Sequence, residues 1–233
     1  MTKKLTGNEL KIIAAFAMLI DHIGLIFFPT EQAFRIVGRL AFPIFAFMIA
    51  EGCEYTKHKL RYFLTVAVLA AVCQCFYYLF ENSLYMCILV TFSLSIPTVY
   101  ALQFFKESVL SGGTLKRIFG ALVFLGAVFV VYTLNRFFEI DYGFWGCMTP
   151  VFASIFRNSH EKTDSIRINV LSMGICLVAV SVALGANQYY SLLALFLLFR
   201  YSGERGKRKM KYFFYIFYPA HLVALHGISM LLK

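Results

Sequence analysis

Runs of about twenty apolar residues follow one another from end to end of this chain, and that recurrence limits its fold more than any other feature. A helix needs roughly 17–25 such residues to cross about 30 Å of hydrocarbon. With 60% hydrophobic and only 15% charged residues, against about a quarter charged in soluble domains, a water-soluble globule is excluded. The expected architecture is all-α: a polytopic transmembrane helical bundle, one domain over residues 1–233, in contact with the lipid bilayer. Nine spans are expected, near residues 9–28, 33–54, 62–80, 84–105, 118–134, 142–156, 168–184, 189–201 and 212–232. The sixth is short and broken by Pro150, and the eighth is marginal in length.

The net charge of +10 does not point to nucleic acid, because the basic residues sit in short loops between spans, where they report topology. Sixteen Lys and Arg fall at the N-terminus and in the even-numbered loops, the densest at 202–211, whereas the opposite side holds little beyond Arg35, Arg136 and Lys233. Positive residues favour the cytoplasmic side, so the N-terminus is expected inside and the C-terminus outside. The six cysteines lie within or at the ends of apolar runs, with no histidine at metal-ligand spacing, and read as packing residues with no metal site. Lys3 and Lys4 before an apolar run mimic a secretory signal, but Asp21-His22 interrupts the run and no small-residue cleavage site follows. It reads as the first span.

Charged side chains are expensive inside a membrane and mark functional paths. The first two spans carry Lys11, Asp21, His22, Arg35, Arg39 and Glu51. Lys11 and His22 are eleven residues apart, about three turns or roughly 16 Å on nearly the same helix face. One face thus shows an ammonium inside and an imidazole outside. Asp21 points elsewhere, since adjacent helical residues do not face each other, and is expected to pair with an arginine. Arg35 and Arg39 share a face near His22, and Glu51 lies deeper, toward the cytoplasm. Asp141 and Tyr142 stand at the outer end of the sixth span and read as an acceptor vestibule or a helix cap. Tyr218 and His221 flank Pro219 in the last span, where a kink turns His221 inward.

These residues carry a resemblance. The blocks LKIIAAFAMLIDHIG, RIVGRLAFPIFAFMIAEG, DYGFWG, QYYSLLALFLL and KYFFYIFYPAHL resemble the TraX family of conjugative-pilus acetyltransferases over nearly the whole chain. Lys11-x10-His22 is more distantly similar to a basic-x10-His signature of the acyltransferase-3 membrane acyltransferases. Arg35 and Arg39 depart from the arginine motif of that group, having three residues between them rather than two. The resemblance implies a bacterial inner-membrane enzyme that moves acetyl from cytoplasmic acetyl-CoA to an acceptor outside: a pilin or peptide amine, or a glycan. His22 would be the catalytic base and Arg35 and Arg39 oxyanion partners. Lys11 would guide the donor arm, while Lys207, Arg208, Lys209 and Lys211 hold CoA phosphates. Asp21, Glu51, Asp141, Tyr142, Tyr218 and His221 would support substrate. The principal alternative is a small-molecule or proton-coupled transporter lined by the same charges; a structural pilus-assembly protein with paired buried charges is another.

Overall fold

A computed structural model describes residues 4–81, 83–157, 162–207 and 210–232. The elements in chain order are α1 (Gly7–Phe27), α2 (Gln32–Gly38), α3 (Ala41–Tyr55), α4 (Lys59–Glu81), α5 (Ile88–Ser111), α6 (Thr114–Phe137), α7 (Gly143–Phe152), α8 (Lys162–Leu184), a 3-10 segment (Ala186–Leu193), α9 (Ala194–Leu198) and α10 (Lys211–Leu231). Among the described residues, seven segments are long and apolar enough to cross a membrane: α1, Gln32–Tyr55, α4, α5, α6, α8 and α10. The all-helical, multi-pass expectation holds. The expected sixth and eighth spans fall short of that length, becoming α7 and the 3-10 segment with α9. The expected second span is interrupted at Arg39 and Leu40, between α2 and α3.

The chain forms two compact units. The first comprises Met1–Met48 and Phe156–Lys233. Its α1 starts earlier than apolarity alone suggests because Thr6 and Glu9 form a capping box: the Glu9 amide donates to Thr6 Oγ1 at 3.3 Å and the Thr6 amide donates to Glu9 Oε2 at 2.8 Å. The stretch after α9 is laced to this helix start. The Leu5 amide donates to the Arg200 carbonyl, the Ser202 amide to Leu5, the Gly7 amide to Glu204 and the Asn8 amide to Arg205, at 2.8–3.0 Å. The first amides of α1 are therefore spent on two carbonyls and the Thr6 hydroxyl and are not an anion cradle.

At its other end α1 turns back into α2, and the two helices approach through glycine. Phe34 lies against Gly24 and Asp21 against Gly38, so closely that a Cβ at either glycine would overlap it. The 3-10 segment packs on α2 and α8, while Tyr201 bridges to Leu5. Residues 186–201 therefore run back alongside α1 toward its start. A 3-10 helix rises about 2.0 Å per residue against 1.5 Å for an α-helix, so these residues bridge roughly 28 Å.

The second unit is Ile49–Ile155. Its α5 packs against α4, α6 and α7. Short α7 is pinned along α5: Thr91 Oγ1 donates to the Asp141 carbonyl at 2.6 Å, Ser95 Oγ to Cys147 at 2.9 Å and Lys106 Nζ to Ser154 at 3.1 Å. Residues 141–154 thus track α5 from its first turn to near its last.

Candidate functional site

The first unit gathers most of the polar residues singled out in the sequence. α1 and α10 pack side by side, and Lys11 Nζ stands 5.9 Å from the Phe214 ring centre, so the two helices start at the same end. About two turns further along α10, His221 reaches His22: the rings meet edge to face with centroids 4.9 Å apart. Phe217 stacks on His221 at 5.2 Å and Tyr218 meets it edge-on at 5.5 Å. These aromatic contacts fix the imidazole in a water-poor setting; His221 is only 6% exposed.

The tautomers follow from the helix backbone. His22 Nδ1 lies 2.9 Å from the Met18 carbonyl and His221 Nδ1 lies 2.9 Å from the Phe217 carbonyl. A carbonyl only accepts, so each Nδ1 carries the hydrogen and donates it to the residue four before. In the neutral imidazole that leaves Nε2 with a lone pair, a proton acceptor, on both rings. His221 Nε2 is buried and has no hydrogen-bond partner among the described residues.

Asp21 points away from His22, as its register requires, and is met by Arg35: Arg35 Nη1 donates to Asp21 Oδ2 at 2.8 Å. The expected aspartate–arginine pairing is therefore present. The charges of Arg35 and Arg39 both act on Asp21, and that of Arg35 also reaches His22. The Arg35 guanidinium is balanced by Asp21, the residue next to His22. The second carboxylate oxygen, Asp21 Oδ1, is buried without a partner among the described residues.

These two imidazoles, with Arg35 paired to the aspartate beside His22, lie within a chain that matches the family model described as TraX protein over residues 6–229. The chain belongs to the TraX family. It is similar over 97% of its length to the Dichelobacter nodosus protein named "Probable fimbrial assembly protein FimC, serogroup H1", at 24% identity and covering 96% of that relative. It is also similar to an uncharacterized protein of Rickettsia prowazekii (strain Madrid E), 37% identical over 93 residues, 32% of this chain and 38% of the relative. No solved structure matches it.

The remaining expected residues of this TraX family chain are distributed as follows. Glu51 is buried on α3 in the second unit, which also holds the half-buried Asp141 and Tyr142 before α7. There the Asp141 carboxylate accepts from the Tyr85 hydroxyl at 2.7 Å, and Tyr142 takes a left-handed backbone at φ 60° to start α7. Lys207 is exposed in the stretch laced to the start of α1. Arg208 and Lys209 lie outside the described residues, as does the side chain of Lys211. Sequence reasoning passed over Gly24 and Gly38, whose bare backbones admit Phe34 and Asp21. It also passed over Gln188 and Ser191, buried polar residues on the 3-10 segment. Both stand in the QYYS block, but an α-helical period puts residues three apart off a common axis, whereas a 3-10 helix eclipses them.

Proposed function

We propose that this protein is a membrane acetyltransferase that moves acetyl from cytoplasmic acetyl-CoA to an amine or hydroxyl acceptor at the outer face of a bacterial inner membrane. The observation that carries it is the His22–His221 pair, two imidazoles in edge-to-face contact whose Nδ1 atoms bond to backbone carbonyls, so that the neutral form of either ring offers Nε2 as a base. Membership of the TraX family and whole-length similarity to a protein named for fimbrial assembly support a pilus-related acceptor such as a pilin amino terminus.

In this mechanism the donor enters from the end where α1 begins. Lys207 and its basic neighbours attract the CoA phosphates, and the arm runs along α1 past Lys11, roughly 16 Å from His22. His22 Nε2 takes the proton of the incoming nucleophile as it attacks the thioester carbonyl. The tetrahedral oxyanion forms beside the positive charge of Arg35 and Arg39, a preorganised arrangement in a dry site. When the C–S bond breaks, the His22 imidazolium returns the proton to the CoA sulfur. Asp21 holds Arg35 in place and keeps the local charge balanced. His221 orients His22 from across the helix pair.

The test is CoA release from acetyl-CoA by the purified protein in lipid nanodiscs, wild type beside His22→Ala, with acetyl-CoA binding measured on the same samples. Release abolished with binding retained is the expected outcome. Failure of the wild type to bind acetyl-CoA sinks the proposal and favours the transporter, which predicts solute flux without CoA.

A further inference from the structure

Exposed cations from opposite ends of the chain meet at the start of α1, and the proposed chemistry has placed only Lys207 among them. Leu5 and Tyr201 pair as a parallel bridge, the Leu5 amide donating to the Arg200 carbonyl and the Ser202 amide to Leu5, both at 2.8 Å. Tyr201 is buried, its ring edge-on to Phe47 at 5.8 Å, and it anchors the bridge to the core. Lys4 and Arg200, the residues before the two bridge partners, are both exposed. The next bonds run from the Gly7 amide to the Glu204 carbonyl and from the Asn8 amide to the Arg205 carbonyl. They bring Arg205 and Lys207, again exposed, to the same helix start. Gly206 permits this closure: its φ of 95° is one that side chains rarely adopt, and a Cβ there would lie 3.1 Å from Thr6 Oγ1.

Among the described residues none of these four cations pairs with a carboxylate. The acids nearby are Glu204, exposed in the loop, and Glu9, whose carboxylate accepts from the Thr6 amide and hydroxyl. Gathering like charges costs electrostatic energy that an anion recovers. Basic residues on the cytoplasmic side report topology by their number. Topology does not require backbone bonds that tie Leu5 to Arg200 and Asn8 to Arg205.

We infer that Lys4, Arg200 and Arg205, with Lys207, form the binding site for the phosphates of the acyl donor, the diphosphate and the ribose phosphate of CoA. The inference rests on the acetyl-transfer reading and adds to it the residues that recognise the head of the donor. Guanidiniums present planar forks that match phosphate oxygens, and the lysines add point charge. The first amides of α1 have other partners, so recognition falls to these side chains. The position suits the shape of the donor. Asn8 and His22 lie on the same helix, roughly 21 Å apart along its axis, with Lys11 between them. A phosphate head at the helix start and a reacting carbonyl at His22 need a ligand with a long thin arm between its ends, as pantetheine is in CoA. An anionic lipid headgroup offers the same phosphate chemistry without a reacting group at the far end.

The test uses full-length protein in phosphatidylcholine nanodiscs, with Lys4→Gln and the double variant Arg200→Gln/Arg205→Gln beside wild type. Thiol release is compared for acetyl-CoA and for acetyl-pantetheine, which carries the same thioester and arm without any phosphate. The expected result is a KM for acetyl-CoA raised about 10-fold in Lys4→Gln and further in the double variant, with kcat moved little. KM for acetyl-pantetheine stays the same in all three proteins. A merely structural loop moves both thioesters alike; that outcome, or an unchanged KM for acetyl-CoA, overturns the inference. Phosphatidylglycerol added to the discs separates the lipid source. Melting raised by that lipid in wild type alone, with KM for acetyl-CoA equal in all three, assigns the cations to a headgroup and overturns the inference as well. If wild type releases thiol from neither thioester, the acetyl-transfer reading fails by itself, and binding of adenosine 3′,5′-bisphosphate tests the site alone. Binding to wild type that the double variant loses upholds the phosphate site; equal binding, or none, overturns it.

Discussion

His22 on α1 and His221 on α10 meet edge to face, their ring centres 4.9 Å apart, and each is held by a hydrogen bond from Nδ1 to the carbonyl four residues before it. Two imidazoles this close repel when both are charged, so beyond the hydrogen on each Nδ1 the pair holds at most one further proton comfortably. That suits a site in which one ring receives a proton while the other stays neutral and fixes its orientation.

The first prediction separates those roles. His221→Phe keeps the stacking on Phe217 and the edge contact to His22 but deletes the buried, unpartnered Nε2. Its melting temperature should equal or exceed that of wild type, because an unsatisfied group is lost. If His221 only orients His22, CoA release should fall about 10-fold; loss of the base itself in His22→Ala should cost about 100-fold or more. Steady-state CoA release with melting curves on the same preparations gives both numbers. Equal losses in the two variants would mean that His221 also moves a proton.

The Asp21–Arg35 pair is part-buried, its side chains 18% and 28% exposed respectively. Deleting one partner strands the other charge among apolar residues, a larger loss than removing both. Asp21→Asn and Arg35→Gln should each destabilise by about 2 kcal/mol, less than a fully buried pair because both side chains retain solvent access. The double variant should recover part of that loss, giving a coupling energy of about 1 kcal/mol in a double-mutant cycle. Additive effects in thermal unfolding would show that the two charges do not support one another.

The glycine contacts between α1 and α2 make a third case. At Gly38 an added Cβ meets Asp21, and at Gly24 it meets Phe34. Gly38→Ala must push Asp21 away from Arg35, while Gly24→Ala shifts only an apolar ring. Both should lower stability by about 1–3 kcal/mol through overpacking, but Gly38→Ala alone should also weaken the Asp21–Arg35 coupling. A double-mutant cycle repeated in each glycine background reads this directly.

Much of this was legible in the sequence because membrane burial writes itself in composition. The seven long helices follow from unbroken apolar runs, and the pairing of Asp21 with an arginine follows from its register beside His22 and the cost of a lone charge in hydrocarbon. The inward turn of His221 beside Pro219 was readable for a similar reason. What escaped was local backbone geometry. The break at Arg39–Leu40 escaped although Pro43, in the first turn of α3, lacks the N–H that an unbroken helix would give to the Arg39 carbonyl, and the 3-10 winding of Ala186–Leu193 is invisible to an α-helical period. Asp141 and Tyr142 were legible as a helix start, but the partner of Asp141, Tyr85, lies 56 residues earlier in the chain. No spacing rule links such distant residues.

That Tyr85–Asp141 contact yields a fourth prediction, outside the membrane-spanning helices. Burial, and then the charge of Asp141, push the Tyr85 hydroxyl above its ordinary range, so it remains a donor to Asp141 Oδ1. A group whose pKa is higher folded than unfolded stabilises fully below the unfolded value, near 10 for tyrosine, and loses that contribution as pH rises beyond it. Wild type should therefore lose stability above about pH 10 more steeply than Tyr85→Phe, which at neutral pH should be weaker by about 1 kcal/mol for the lost hydrogen bond. Melting curves from pH 7 to about pH 11 compare the two slopes. Parallel slopes would remove Tyr85 as the titrating group.

The last prediction concerns which ends of the first unit share a membrane face. Lys4 precedes α1, and Lys207 belongs to the stretch whose carbonyls at Arg200, Glu204 and Arg205 accept from Leu5, Gly7 and Asn8. Those bonds oblige the two lysines to lie on the same side. Glu31, in the turn after α1, lies a helix length away, roughly 30 Å at 1.5 Å per residue over α1. All three are exposed. Lys4→Cys and Lys207→Cys, each in a background lacking the six native cysteines, should be labelled by a membrane-impermeant maleimide only after the cytoplasmic face is opened. Glu31→Cys should be labelled in intact cells. Labelling of Lys207→Cys from outside while Lys4→Cys stays protected would contradict the backbone pairing of this stretch with residues 5–8. Labelling of both lysine positions from outside, with Glu31→Cys protected, would invert the orientation that the basic loops predict, and would put the end where acetyl-CoA is proposed to enter on the wrong side of the membrane.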